Sequence, residues 1–190
     1  MFQQQVQTMF NSSMAILQRP SVATFEEHEK NDLQGATIYV AIAGLIAGLL
    51  GAIGGAIRNT GVGSALIGNL IGAIVGFYIY VGIVYLLGRA FGGTGNFGEL
   101  AYDISLFSAP LTVVSSLLAL IPVLGGIAAL VLFIYNIYLT YLGIQSGMNL
   151  PKDKAILVMV IIFLIGAAII ACIVLFFAAI FAAVMSGGNR

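Results

Sequence analysis

The sequence predicts an all-α, polytopic membrane protein: a bundle of five transmembrane helices with a short N-terminal amphipathic helix. Of its 190 residues, 61% are hydrophobic and 7% are charged, whereas about a quarter of the residues of a soluble domain are charged. The mean hydropathy of +1.10 agrees with this class. Strands in a membrane would alternate apolar and polar residues, and the apolar stretches here do not alternate, so helices are predicted and a barrel is excluded.

Charged residues divide the chain into four uncharged runs, because a charge near mid-bilayer costs about 3 kcal/mol. The runs are 33–57, 59–88, 104–151 and 155–189, of 25, 30, 48 and 35 residues, and a crossing helix needs roughly 20. The third run is long enough for two spans, and a proline followed by two glycines predicts a reversal near its middle. The five predicted spans are 33–57, 65–89, 104–121, 126–145 and 155–185, with the reversal at Pro122, Gly125 and Gly126.

Residues 1–32 precede the five-helix domain of residues 33–186, and residues 187–190 form a short tail. Apolar residues at helical spacing predict a short helix on the cytoplasmic membrane surface, with a disordered tail as the alternative. This stripe consists of Phe2, Val6, Met9, Phe10, Ser13 and Leu17. Pro20 should end the helix. A solvated connector is predicted after it, containing Glu26, Glu27, His28, Glu29, Lys30 and Asp32.

The distribution of basic residues predicts the orientation. Five lie on one side of the predicted spans: Arg19, Lys30, Arg89, Lys152 and Lys154. The other side holds Arg58 and Arg190. Basic residues favour the cytoplasmic side, so the N-terminus is predicted to be cytoplasmic.

Composition also excludes several classes of function. Seven basic and seven acidic residues give no net charge that would attract nucleic acid. With one cysteine, Cys172, and one histidine, His28, the chain cannot form an internal disulfide, a cysteine or histidine metal cluster, or a Ser-His-acid triad. No catalytic residue, metal or cofactor is therefore predicted, and the protein is not expected to be an enzyme.

A glycine-rich segment follows the second predicted span. Gly93, Gly95 and Gly98 match the G-x-G-x-x-G pattern of dinucleotide sites, but a membrane span and not a strand precedes them. An interfacial turn is therefore predicted. The alternative is that its backbone N–H groups bind a lipid phosphate beside Arg89.

Two carboxylates follow this segment. Glu99 and Asp103 lie one turn apart if the third span begins before residue 99. An ion pair with Arg89, Lys152 or Lys154 would neutralise them, and a cation or proton site is the alternative. The predicted interaction or ion-pair cluster comprises Arg89, Gly92, Gly93, Gly95, Glu99, Asp103, Pro110, Lys152 and Lys154.

Small residues recur every three or four positions in the first two spans. They are Gly44, Gly48, Gly51 and Gly55 in the first, and Gly68, Gly72 and Gly76 in the second. Such ridges let helix backbones approach closely, so packing within the bundle is predicted, with dimerisation as the alternative.

Several stretches of sequence resemble one family. GGTGNFGELA at 92–101, followed by Ser-Ala-Pro at 108–110 and Leu-Ile-Pro at 120–122, resembles the central signature of the Yip family, the Ypt/Rab-interacting membrane proteins. Downstream, IYNIYL at 134–139 resembles the fourth span of that family. Upstream, ILQRP at 16–20 resembles the short N-terminal segment of its prokaryotic members.

The resemblance implies a non-enzymatic, five-span protein of the prokaryotic inner or plasma membrane. Eukaryotic relatives organise vesicle transport and bind prenylated small GTPases, and they carry a long N-terminal domain and an Asp-Leu-Tyr-Gly-Pro element. Here residues 32–36 read Asp-Leu-Gln-Gly-Ala, so the chain departs from the pattern associated with GTPase binding.

Two functions are consistent with the sequence. The first is a membrane scaffold or adaptor whose cytoplasmic face, at 1–32, 92–103 and 147–154, contacts a partner protein or lipid headgroups. The second is a small solute or ion permease, forming a homo-oligomer, with Glu99, Asp103 and Asn136 along its route.

Overall fold

The computed structural model describes residues 2–57 and 63–187. These residues form seven helices and no strand. The helices are α1 (Phe2–Gln18), α2 (Val22–His28), α3 (Leu33–Ile57), α4 (Gly63–Ala90), α5 (Phe97–Leu118), α6 (Pro122–Gly147) and α7 (Lys152–Gly187). Five of them, α3 to α7, are long and apolar enough to cross a membrane. The prediction of an all-helical, multi-pass membrane protein is confirmed.

Among the span boundaries, the starts of α5 and α6 differ most from the prediction. Helix α5 begins at Phe97 and not at residue 104, because the Asn96 backbone N–H donates to Glu99 Oε2 over 2.9 Å and closes the first turn. The reversal between α5 and α6 occupies residues 119–121, and α6 begins at Pro122. Proline is well tolerated at the first position of a helix, so α6 can begin at Pro122. Gly125 and Gly126, which were expected to form the turn, therefore lie inside α6.

The N-terminal segment forms two helices where one was predicted. As expected, α1 ends before Pro20. Ser21 then caps α2 by accepting a 3.1 Å hydrogen bond from the Thr24 backbone N–H. Phe25 on α2 is fully buried and packs edge-on against Phe107 of α5, with ring centroids 6.1 Å apart. The burial of this one aromatic ring ties the segment to the bundle, while Glu26, Glu27 and Lys30 of the predicted connector are exposed.

Helix α1 also packs on the bundle. Its Met9 and Ile16 are at most 1% exposed, and its Ser13 hydroxyl shares a 3.0 Å hydrogen bond with the Tyr39 hydroxyl of α3. Tyr39 is six residues into α3, or about 9 Å along the helix axis. Phe10, from the predicted stripe, remains 53% exposed. The inner face of α1 thus meets protein, and its outer face carries exposed apolar side chains such as Phe10 and Met14.

The five spans differ in burial. Helix α5 is the innermost, and its Leu100, Leu106 and Phe107 are fully buried. Helix α3 packs against α4 and α5, and α5 packs against α6. The longest helix, α7, contacts α4 and α6 through residues near its start, such as Ala155 and Val158, and most of its remaining length is exposed.

One end of the bundle carries the charged residues. The starts of α3, α5 and α7 and the ends of α4 and α6 share this end, and α1 and α2 pack against it. We call it the capped end and include in it loop 91–96 and turn 148–151. Every charged residue in the described part of the chain lies in these segments or in the adjoining helix turns, while Arg58 and Arg190 lie outside that part.

Candidate functional site

Loop 91–96 begins with a tight turn at the end of α4. Gly92 has a φ of +88°, which glycine adopts readily because it has no Cβ. The N–H of Gly92 donates to Arg89 O over 3.0 Å, and the N–H of Gly93 donates to Gly88 O over 2.8 Å. The last carbonyls of α4 are thereby satisfied.

The same loop packs directly on turn 148–151. The Thr94 N–H donates to Met148 O over 3.0 Å, and the Gly95 N–H reaches the same oxygen at 3.5 Å. A Cβ on Gly95 would overlap the Gly147 carbonyl, and one on Gly93 would lie 2.9 Å from Met148 O. Close backbone contact therefore explains these glycines. Because the four N–H groups already have carbonyl partners, the loop offers no free nest for a phosphate.

The three bases of the predicted cluster lie on the exposed side of this loop and turn. Arg89 Nη1 donates to Gly93 O over 3.2 Å, and the Lys154 ammonium lies above Gly92, 3.4 Å from where a Cβ would be. Lys152 is exposed at the start of α7. Two of the three bases, Arg89 and Lys154, therefore lie against the loop.

The two carboxylates of the cluster have different surroundings. Glu99 accepts from the Asn96 side chain at 3.0 Å, in addition to the capping bond. Asp103 is 0% exposed, and neither of its oxygens has a hydrogen-bond partner among the described residues. The structure thus places Asp103 one turn beyond Glu99 in α5, as the spacing predicts, without bonding it to Arg89, Lys152 or Lys154.

Two further residues near Asp103 were absent from the predicted cluster. The buried Ser146 hydroxyl of α6 lies beside the Asp103 carboxyl. Glu29, between α2 and α3, has one buried, unpartnered oxygen. Burial raises the pKa of Glu29, and the charges of Glu99 and Glu26 raise it further. No local pattern in the sequence indicates these neighbours, since Ser146 approaches through the packing of α6 on α5 and Glu29 through the packing of α2 on the bundle.

Asp32, in contrast, has a structural role. Its Oδ1 accepts from the Gly35 N–H over 2.8 Å at the start of α3, and its Oδ2 accepts from Gln5 Nε2 over 2.8 Å. It therefore caps α3 and joins it to α1.

The two glycine ridges have different surroundings. A Cβ on Gly44 would lie 2.8 Å from the Ala73 Cβ of α4, which marks a close helix contact. In the same helix, Gly48 is buried, Gly55 is half-buried and Gly51 is exposed.

The second ridge does not pack against another helix. Its glycines are Gly68, Gly72 and Gly76, and a Cβ added to any one of them would meet nothing within 4 Å. They border a cleft of about 350 Å³ that is also lined by residues of α3 and α5. Helix α4 packs closely on α3 but only loosely on α5, so this ridge is left open.

Pro110 lies inside α5. It lines an apolar groove of about 930 Å³ between the outer face of α1 and the sides of α3 and α5. Phe10 and Met14 form part of the opposite wall. The groove holds almost no polar surface and is open to the membrane side of α1.

Comparison with known proteins assigns the chain to a family. Searches among curated proteins and among solved structures found no match. The family model of the Yip1 domain matches residues 14–175, which include α2 to α6, loop 91–96, turn 148–151 and most of α7. The chain therefore belongs to the Yip1 domain family, as the signature at 92–101 indicated.

Proposed function

We propose that the protein is a non-enzymatic membrane scaffold or adaptor whose capped end faces the cytoplasm and contacts a partner protein or lipid headgroups. The segregation of charge carries this proposal. Every charged residue of the described chain lies at the capped end, and this end holds five of the seven basic residues of the sequence, a distribution that is typical of a cytoplasmic face.

The capped end presents polar side chains on an ordered backbone. Thr94, Lys152 and Asp153 are exposed, and the Thr94–Met148 hydrogen bond holds loop 91–96 on turn 148–151. Glu26 and Glu27 are exposed on α2, whose Phe25 is buried. A partner would therefore meet surfaces whose shape is already set, so that little ordering is required on binding.

A permease is the second candidate, and one observation favours it. The 350 Å³ cleft beside α4 and a second cleft of about 380 Å³ between α5 and α6 share Ser108 and Thr112. However, Thr112 donates to Ser108 O and Ser116 donates to Thr112 O, each over 2.8 Å. Hydroxyls that bond back to their own helix need no solute to satisfy them, so the scaffold is the better supported function.

Site-specific photocrosslinking in the native host would test the proposal. A photoreactive residue at Thr94 or Lys152 should capture a protein or lipid reproducibly, as identified by mass spectrometry. The same residue at exposed Phe176 of α7 is the matched control for contact with bulk lipid. Identical products at all three positions would contradict a specific partner at the capped end. A solute flux in liposomes that is lost in Asp103→Asn would show that the protein is a permease and would contradict the scaffold proposal.

A further inference from the structure

The start of α7 carries positive charge where a helix least favours it. Lys152 and Lys154 lie in the first turn of α7, and both are exposed. The free N–H groups at a helix N-terminus give it a partial positive charge, so basic side chains are unfavourable there and an anion is favourable. Asp153 lies between the two lysines, but no ion pair joins it to either of them in the described part of the chain. This end of α7 therefore has an excess of positive charge.

Arg89, at the end of α4, adds to this charge from the neighbouring helix. One of its N–H groups donates to Gly93 O over 3.2 Å, and the Lys154 ammonium lies above the adjacent Gly92. Arginine has five N–H donors, so the guanidinium retains others for a ligand. Among the described residues, no carboxylate is paired with Arg89 or Lys154. An anion at the membrane surface would thus meet basic side chains from both helices.

An apolar cleft lies on the membrane side of these bases, between α7 and the rest of the bundle. It has a volume of about 540 Å³, and its walls come from α6, from α7 and from Tyr80 of α4. The Tyr80 hydroxyl is already bonded to Thr140 Oγ1, at 3.1 Å. Helix α7 contacts the bundle through Ala155 and Val158 near its start, and the cleft opens beyond that contact. The cleft is therefore open apolar space within the membrane-spanning part of the chain.

The helical register of α7 aligns Lys152 with this cleft. Three residues that line the cleft follow it by 7, 11 and 14 positions, namely Met159, Phe163 and Gly166. At 3.6 residues per turn, all three lie within about 40° of the direction of the lysine. Ile156, one turn after the lysine on the same face, is exposed.

The depth of the cleft matches that of a lipid leaflet. Met159 lies about 10 Å from Lys152 along the axis of α7, and Gly166 lies about 21 Å from it. One leaflet of a bilayer, including its headgroups, is about 20 Å thick. The same face of α7 therefore presents a base at the level of the headgroups and open apolar space at the level of the acyl chains.

We propose that this edge of the bundle binds one anionic phospholipid, with its phosphate at Lys152 and Lys154 and one acyl chain in the cleft between α6 and α7. The bases and the cleft together favour this occupant. A soluble anion would pair with the bases and leave the cleft empty, whereas a zwitterionic lipid carries its own cation beside the phosphate and gains less from the lysines. Because the N–H groups of residues 92–95 already have carbonyl partners, side chains and not the backbone hold the phosphate.

This inference deepens the proposed function and rests on it, because the capped end must lie at the membrane surface for its bases to meet headgroups. It adds the class of lipid and the position of the contact. Beyond Val158, most of α7 is exposed, so a chain held in the cleft would also fill the gap between this helix and the bundle.

Lipid binding to the delipidated full chain in detergent, measured by native mass spectrometry, tests the proposal. The probes are phosphatidylglycerol and phosphatidylcholine with identical acyl chains, and wild type should prefer phosphatidylglycerol. A lysine near an anionic headgroup contributes about a fivefold gain in affinity, so Lys152→Gln and Lys154→Gln should each weaken phosphatidylglycerol binding by about that factor. Lys30→Gln, at an exposed lysine between α2 and α3, is the matched control and should leave the preference unchanged.

Gly166→Leu tests the cleft separately from the bases. A Cβ on Gly166 would meet nothing within 4 Å, so the leucine enters the cleft without displacing protein. It should weaken phosphatidylglycerol binding about as much as one lysine replacement does. Gly126→Leu, which also enters open space but lies outside the cleft, should have no effect.

Three results would overturn the proposal. The first is equal binding of the two lipids to wild type. The second is displacement of phosphatidylglycerol by an equal concentration of inorganic phosphate, which would identify a site for soluble anions. The third is a preference that survives Lys152→Gln, Lys154→Gln and Gly166→Leu alike, which would place the lipid elsewhere. A protein captured by photocrosslinking at Thr94, with no lipid preference here, would leave the scaffold proposal standing, so the failures of the two proposals are distinguishable.

Discussion

The Tyr135 hydroxyl of α6 donates a 2.6 Å hydrogen bond to the backbone carbonyl of Leu17, across 118 residues of sequence. Leu17 lies in the last turn of α1, where carbonyls have no partner within the helix. Together with the Ser13–Tyr39 bond, this contact fixes an apparently peripheral helix to two separate spans.

We expect Tyr135→Phe and Tyr39→Phe to loosen α1 without unfolding the bundle. Each change removes one hydroxyl, which contributes about 1 kcal/mol when hydrogen-bonded. Hydrogen exchange of α1 amides, measured by mass spectrometry, should become faster in both variants. Tyr138→Phe is the control, because Tyr138 lies on the same helix and is 45% exposed. Unchanged exchange in both variants would show that these hydroxyls do not hold α1.

The contact between loop 91–96 and turn 148–151 should be intolerant of a single methyl group. In Gly95→Ala the new Cβ would collide with the Gly147 carbonyl, and backbone on both sides leaves no flexible atom to give way. We expect a loss of about 3 kcal/mol in unfolding free energy, measured by thermal unfolding in detergent. Gly126→Ala, on α6 with nothing within 4 Å of the added Cβ, should be neutral or slightly stabilising. Equal effects of the two changes would contradict the close contact.

The two glycine ridges should respond differently to a large side chain. Gly44→Leu would force α3 away from Ala73 on α4 and should lower Tm by several degrees. Gly72→Leu enters open space and should fold with little change. Thermal unfolding of the two variants, side by side in one detergent, provides the comparison. A larger loss for Gly72→Leu would show that the α4 ridge is packed against something in the membrane, such as a second copy of the chain.

Stability should depend on pH through Glu29. Burial, followed by the charges of Glu99 and Glu26, raises its pKa above the ordinary value of 4.5. Between the unfolded and folded pKa values, the folded state binds more protons than the unfolded state, so the unfolding free energy falls as pH rises through this window. Glu29→Gln should reduce this fall and should be more stable than wild type at pH 7.

Glu27→Gln, at an exposed position on the same helix, should retain the wild-type pH profile. The measurement is the thermal stability of both variants and of wild type between pH 4 and pH 8. If the Glu29→Gln profile runs parallel to that of wild type, Glu29 does not gain protons on folding.

The two chain ends should lie on opposite sides of the membrane. An odd number of spans requires this, and five helices are long enough to cross. A reporter at the N-terminus should read cytoplasmic, and one at the C-terminus should read non-cytoplasmic. Two reporters on the same side would leave the five-span arrangement untenable.

Much of this fold was predictable, because the length of an uncharged run determines whether a helix can cross a bilayer. The first span agrees to the residue at Leu33–Ile57. The boundaries of α5 were not predictable from charge alone, since the capped turn at Asn96 brings Glu99 and Asp103 into the helix. A span boundary that is placed at the nearest charged residue takes no account of a capping box, which here brings two charged residues into the helix.

The acidic site was predicted only in part. Glu99 and Asp103 were recognised from their helical spacing, but Glu29 and Ser146 approach Asp103 from other elements. The approach of Glu29 depends on α2, whose Phe25 is buried against Phe107, and the approach of Ser146 depends on the packing of α6 on α5. Both are tertiary contacts. The glycine ridge of α4 illustrates the same limit, because small residues permit a close contact without specifying that one forms.

The length of α7 has a consequence for the surrounding lipid. Its candidate span, Lys152–Phe181, contains 30 residues, and the uncharged part from Ala155 to Phe181 extends about 40 Å as a helix against a hydrocarbon core of roughly 30 Å. Such an excess must be absorbed by helix tilt or by local thickening of the bilayer, at a fraction of a kcal/mol per Å. Neighbouring helices hold α7 mainly near its start, so the remainder is free to incline. The energy of this protein in a membrane therefore depends on bilayer thickness, and α7 is the element that responds to it.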